Sequence, residues 1–306
     1  MDNEFNAIYI TLDGFVELHK YRYLCFVIIF TVYFVIICCN SIIVFLIRKQ
    51  QDLHKPMYIF IAALLINSSL YSTNIYPKLL VDFLFEKETI TYSHCFIQAF
   101  TYYILAGSEF LLLAAMAYDR YVSICKPLQY LTIMRKTTVF VFLVSAWLVP
   151  SLEMAVTAVL YANVKLCNLT LKGIFCNSSI YALQCVDSAA LSIYGVFMLM
   201  NIALFPMIFI IYTYTRILII CYRSCKTVRK QAVQTCLPHL LVLINFSCFV
   251  TYDVAVVRLE SSFAKTARLI MTLQMILYPP LFNSVIYGLK VNKIANHLKK
   301  LLFKSH

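Results

Sequence analysis

The residues that invite chemistry are few and scattered along an apolar chain. Asp119 and Arg120 adjoin where an apolar run gives way to a basic stretch containing Pro127. Glu109 lies eleven residues before Arg120, about three helical turns. Arg258 stands at the end of another apolar run. His54, His94 and His239 fall on different segments, no His/Cys cluster has zinc-ligand spacing, and no catalytic constellation is present. The chemistry on offer is that of charge pairs. An Asp–Arg pair at a membrane edge holds the arginine in place, and breaking a buried pair costs roughly 3–5 kcal/mol. A helix motion that offers Arg120 a new partner therefore switches between two discrete states. The plainer alternative is a helix-end charge anchored at the headgroups. Glu109 falls near mid-membrane, where an acid is a functional candidate by default.

These residues need a bilayer around them. Of 306 residues 62% are hydrophobic and only 13% charged, against about 25% charged in ordinary soluble domains. Seven apolar segments, 24–47, 57–82, 95–119, 138–160, 190–221, 233–257 and 267–288, are each long enough to cross roughly 30 Å of hydrocarbon. The fifth is too long for a simple span and is expected to extend beyond the bilayer. After the seventh, Ile294, Leu298, Leu301 and Leu302 recur at helical spacing among lysines, which predicts a short amphipathic helix on a membrane surface. The fold class is an all-α membrane protein. It is one seven-helix domain over 1–306, with N-terminal residues 1–23, a bundle over 24–288 and a tail over 289–306.

Charge sets the orientation. Alternate loops and the tail hold sixteen Lys and Arg, among them Arg48, Lys55, Lys126, Arg135, Arg223 and Lys300. The opposite loops hold eight, among them Lys20, Lys87, Lys165 and Arg258. The richer side is expected to be cytoplasmic, with the N-terminus outside and the tail inside. The net charge of +12 is then an orientation signal and a surface for anionic lipid, not a nucleic-acid footprint. No cleavable signal peptide is evident in the acidic N-terminus, so the first span is expected to serve as targeting signal.

On the expected outer side lie Cys95, Cys167, Cys176 and Cys185; four cysteines allow three pairings, and spacing does not choose among them. Asn168 and Asn177 begin glycosylation sequons there, whereas the sequons at Asn67 and Asn245 fall inside spans. The outer halves of the helices should line a mostly apolar cavity. Its candidates are Tyr102, Tyr103, Gly107, Val250, Thr251, Val254, Leu273 and Leu277, each of which could instead be simple packing. Arg258 could grip a carboxylate in a bidentate, charge-assisted way, or snorkel and pair with Glu260.

Several motifs, in order, resemble those of odorant receptors, a branch of the rhodopsin-like seven-helix receptors. Met116 to Tyr130 follows the family's M-A-x-D-R-Y-x-A-I-C-x-P-L-x-Y except at Ser123. Leu53 to Tyr58 matches L-H-x-P-M-Y, and Pro77-Lys78 matches its Pro-Lys pair. Thr213 to Leu218 is similar to S-Y-x-x-I-L, and the stretch from Lys230 to Leu240 to K-A-x-x-T-C-x-x-H-L. Pro280 to Gly288 is similar to P-x-x-N-P-x-I-Y, with Ser284 where the family has proline. The resemblance implies Cys95–Cys176 and Cys167–Cys185 disulfides. It implies a G-protein switch at Asp119, Arg120, Tyr121, Tyr214, His239 and Tyr287, and a polar network of Asn40, Asn67, Ser68, Glu109 and Asn283. In the family the glutamate is thought to help bind sodium with a helix 2 aspartate. Here that region reads Asn67-Ser68, so a sodium site is doubtful and Glu109 is expected to bond to Asn67, Ser68 or Asn283. Without the proline, helix 7 should be straighter unless Ser284 bonds back to the preceding turn. The implied function is that of a fish-like odorant receptor, taking a small odorant such as a carboxylic acid and activating a heterotrimeric G protein of the stimulatory olfactory type. A receptor for another small metabolite, and a transporter, are the alternatives; five glycines and no evident repeat weigh against the second.

Overall fold

The computed structural model describes residues 8–15, 21–85, 87–161, 165–177, 180, 183, 185, 189–222, 236–237, 239–248, 250–251 and 265–303. Apolar helices dominate because a chain in hydrocarbon must satisfy its backbone within each segment. They are α1 Arg22–Lys49, α2 Pro56–Phe85, α3 Tyr92–Cys125, α4 Lys136–Tyr161, α5 Ala189–Tyr222, α6 His239–Cys248 and α7 Lys265–Lys290. The predicted sixth span, 233–257, falls partly outside the described residues. α8, Asn292–Phe303, is the expected amphipathic helix after α7.

α3 is the central helix. It touches α2, α4 and α5, and buried side chains run its length from Cys95 to Val122. Its extent corrects the sequence reading, which ended the span at residue 119. The helix continues to Cys125, because the hydrocarbon edge does not break a helix. Lys126, out of the helical region before Pro127, does. The Asp119–Arg120 pair therefore lies inside the helix, more than a turn from its end.

α5 is 34 residues long and carries a π-helical turn over Leu199–Leu204, with the Phe205 N–H bonded to the Met200 carbonyl. Pro206 follows directly, with no N–H to continue an ordinary ladder. A π turn adds a residue to the helix and re-aims the side chains around it.

Helices are not the whole fold. At the end of the bundle bearing Cys95, β1 (Tyr9–Leu12) lies between β2 (Thr89–Thr91) and β3 (Thr170–Leu171). β1 pairs antiparallel to β2, with Ile10 opposite Ile90, and parallel to β3, with Leu12 opposite Leu171. Alternation along β1 exposes Tyr9 and Thr11 and buries Ile10 and Leu12. The buried pair joins Ile90, Cys95, Leu171, Cys176 and Leu183 in a small core capping the bundle. Past β1, a Cβ on Gly14 would sit 2.4 Å from the Gly173 carbonyl carbon, so this crossing admits no side chain there. The all-α expectation holds for the bundle and misses this cap.

Candidate functional site

The Asp119–Arg120 pair is formed and buried. Arg120 donates to one Asp119 oxygen through Nε at 3.0 Å and through Nη2. Tyr130, in the helical turn after Pro127, donates its hydroxyl to the other oxygen at 2.8 Å. Both carboxylate oxygens are thus engaged. Burial, and then the Asp119 charge, push the Tyr130 phenol up from its ordinary range, which keeps it a donor. Leu128 and Leu131 flank this turn at 99% and 83% exposure. Such apolar residues on a tightly held turn need a reason other than folding.

Around the pair, Tyr214 and Tyr287 share a core cluster with Met116 and Val122, and Tyr121 packs on its edge. His239 Nδ1 and the Tyr287 hydroxyl are 3.3 Å apart, with ring centroids at 5.5 Å. The side chains that the motifs singled out on α3, α5, α6 and α7 therefore meet at one end of the bundle.

A second polar cluster sits deeper along α3. Glu109 accepts from Asn67 Nδ2 at 3.0 Å and from Asn283 Nδ2 at 2.7 Å. Asn67 also donates to the Leu105 carbonyl at 2.9 Å and accepts from the Trp147 indole at 3.2 Å. An indole N–H can only donate, so the Asn67 amide has a forced orientation. Of the three partners expected for Glu109, Asn67 and Asn283 bond to it. Ser68 does not; its buried hydroxyl has no hydrogen-bond partner among the described residues. The donor set is poor for sodium: both Glu109 oxygens face amide N–H groups, and no second carboxylate accompanies it in these bonds. Ser284 Oγ returns to the Pro280 carbonyl at 3.1 Å and also donates to Asn40 Oδ1 at 2.8 Å, while Asn40 donates to Ser69 at 3.1 Å. The back-bond that would exempt helix 7 from the expected straightening is present. α7 is thereby tied to α1 at the position of the family's proline.

Nearer the cap, Ile174 and Phe175 of the loop after β3 are buried among bundle residues. Phe175 lies 5.5 Å from Tyr102, which contacts Tyr71 at 5.3 Å and Tyr103 at 5.1 Å, and donates to Met275 Sδ at 3.6 Å. Leu273 and Leu277 border the same cluster. The other pocket candidates fall elsewhere. The Cβ direction of Gly107 is filled by Ile202 at 2.7 Å and Pro150 at 3.0 Å, so Gly107 serves a helix crossing. Val250 packs against the larger core cluster, which includes Ala106, Phe110 and Phe246. Thr251 is exposed, with its hydroxyl on the Ser247 carbonyl. Val254 and Arg258 lie outside the described residues. Disulfides join Cys95 to Cys176 and Cys167 to Cys185, the pairing the resemblance implied. Asn168 is exposed and Asn177 half-buried. Among the described residues no group of three His, Cys, Asp or Glu could hold a metal.

Trp147 was not singled out from sequence, and Leu128 and Tyr130 entered only as positions of the Met116–Tyr130 motif, without a role. For Trp147 a signal existed: it is the only tryptophan, set in an apolar span.

The family model described as olfactory receptor matches residues 29–305. Human olfactory receptor 2T1 is 31% identical over 284 residues, covering 91% of this chain and 76% of that protein. Human olfactory receptor 11A1 is 31% identical over 297 residues, covering 95% and 92%. Among solved structures, squid rhodopsin superposes with a TM-score of 0.72 at 16% identity, over 92% of this chain and 85% of that one. The bundle is thus the rhodopsin-like receptor fold, with a charge-paired α3 at one end and a stapled cap at the other, and the chain belongs to the olfactory receptor family.

Proposed function

We propose that this receptor binds a small odorant beneath the cap and activates a heterotrimeric G protein of the stimulatory olfactory type, raising cyclic AMP. The observation that carries the reading is the buried Asp119–Arg120–Tyr130 arrangement in contact with the core of Tyr214 and Tyr287. It is a fully satisfied charge pair at the end whose loops are basic. Separating α6 from α3 would give Arg120 new partners and open this end. Leu128 and Leu131 supply an apolar hold for the G protein beside it. The basic loops put this end in the cytoplasm of a multi-pass plasma-membrane protein, with the N-terminus and the Asn168 and Asn177 glycosylation sites outside. The odorant contacts Tyr102, Tyr103, Leu273 and Leu277, and a carboxylic acid would be gripped by Arg258. Ligand biases an equilibrium between closed and open bundles. The Glu109 cluster, bonded to two amides, works without sodium.

The test is a cyclic AMP assay in cells expressing the receptor, with acids, amino acids, amines and neutral odorants. Responses are expected to vanish in Arg120→Ala at matched surface expression. Full signalling by that variant would sink the switch, and acid responses unchanged in Arg258→Ala would sink the acid grip.

A further inference from the structure

A carboxylate that no motif marked stands on α4. Glu153 follows Pro150 by three residues and precedes Thr157 by four, so it lies on the helix stripe that those two buried residues define. Pro150, one turn away, packs on Gly107 of α3. Tyr161, at the cap end of α4 and about 12 Å further along, donates to the Ile180 carbonyl. Glu153 therefore sits in the cap half of the bundle, at membrane depth, where α4 meets the π-helical turn of α5.

Its two oxygens are treated differently. Asn201, within the π turn, donates to Oε1. Asn201 is exposed, so it stands between Glu153 and surrounding lipid. The Tyr194 hydroxyl donates to the Glu153 backbone carbonyl at 3.0 Å, and Thr157 to the same carbonyl at 3.3 Å. Oε2 is buried and has no hydrogen-bond partner among the described residues. No described cation is near along these helices. His94 is in the first turn of α3, Arg120 near its far end, Lys136 starts α4, and Arg216 is in the last two turns of α5. A carboxylate in hydrocarbon with an open oxygen and no counter-charge is costly, and a positively charged donor relieves both defects at once. Of small organic groups, a protonated amine does this.

We infer that Glu153 anchors the ammonium group of a small amine ligand, with Oε2 accepting its N–H and Asn201 positioning the carboxylate through Oε1. The inference rests on the receptor reading above and names a ligand class for it. Primary alkylamines carry no carboxylate, so they probe Glu153 apart from Arg258.

The experiment compares primary alkylamines of four to six carbons with the alcohols of equal chain length. Purified receptor in lipid nanodiscs is tested for ligand-dependent shifts in unfolding temperature, and receptor in cells for cyclic AMP. Amines are expected to raise the unfolding temperature of the wild type, and alcohols to do so much less. Glu153→Gln should weaken amine binding at least tenfold, and Glu153→Asp should restore part of it. Alcohols matching amines in the wild type, or amine binding intact in Glu153→Gln, overturns the inference. Should Glu153→Gln fail to fold, the amine–alcohol contrast in the wild type still decides. An amine-induced shift without cyclic AMP supports the anchor and sinks the G-protein reading. Cyclic AMP responses to other odorants with no amine shift do the reverse.

Discussion

Asp119 and Glu109 are both buried carboxylates on α3, ten residues apart, and they are stabilised in opposite ways. Asp119 is held by a guanidinium and a phenol. Glu109 is held by two neutral amides, each tied into its own helix pair: Asn67 to Trp147, and Asn283 one residue before the Ser284–Asn40 link. A charge pair is strong when made and ruinous when broken, which suits a part that must have two states. A neutral network loses a little with each bond and favours one arrangement, which suits a pivot.

Five substitutions probe that contrast. Arg120→Ala strands a buried charge and should cost about 3–5 kcal/mol, seen as a large fall in unfolding temperature together with loss of signalling. Asp119→Asn should follow it closely. Glu109→Ala leaves two amides unpaired and should cost about 1–3 kcal/mol. Glu109→Gln should be far milder, because a glutamine can accept from Asn67 while Asn283 rotates its amide to match. If Glu109→Gln destabilises as much as Asp119→Asn in thermal unfolding, the contrast between charged and neutral retention is wrong. Ser284→Ala should cost about 1 kcal/mol by freeing Asn40 Oδ1, and the same melts would register it.

The smallest effect belongs to an exposed acid. Asp52, between α1 and α2, lies 3.2 Å from His297 Nε2 on α8. The His297 hydrogen bond holds its carboxyl below the ordinary 3.8. A depressed carboxyl stabilises above its unfolded pKa and loses that contribution as pH falls through the folded value. The Asp52 contribution should thus be lost only as pH falls below about 4. Hydrogen exchange of α8 should show little change in Asp52→Asn. A loss as large as that of Arg120→Ala would mean that burial is not what separates these acids.

Much of this was legible in the chain. The helices were, because a span is a local property of some twenty residues, and helix ends drifted by up to three residues except where α3 ran on six residues, to Cys125. The Asp119–Arg120 pair was also legible, because the two are neighbours in sequence. Their third partner, Tyr130, was not, since its hydroxyl reaches Asp119 only through the turn that Pro127 starts. Trp147 bonding Asn67 across 80 positions has no local signature at all. Glu153 carried the same signal as Glu109, an acid inside an apolar span, but no motif surrounds it, and only the π turn places Asn201 beside it. The cap was missed for another reason: four alternating residues in an acidic terminus are too few to read as a strand.

That strand has a consequence for the order of assembly. Among the described elements β1 comes first along the chain, yet it is the middle strand of its sheet. Its neighbours β2 and β3 follow roughly 80 and 160 positions later, and pairings so distant in sequence close late. The terminus must wait, unpaired, while four helices enter the membrane, and then slot between two strands already tethered to the bundle. Ile10 and Leu12 are meanwhile in water, open to any chaperone or protease that reads apolar segments. Completion of the cap would then report that the first half of the receptor has been correctly built.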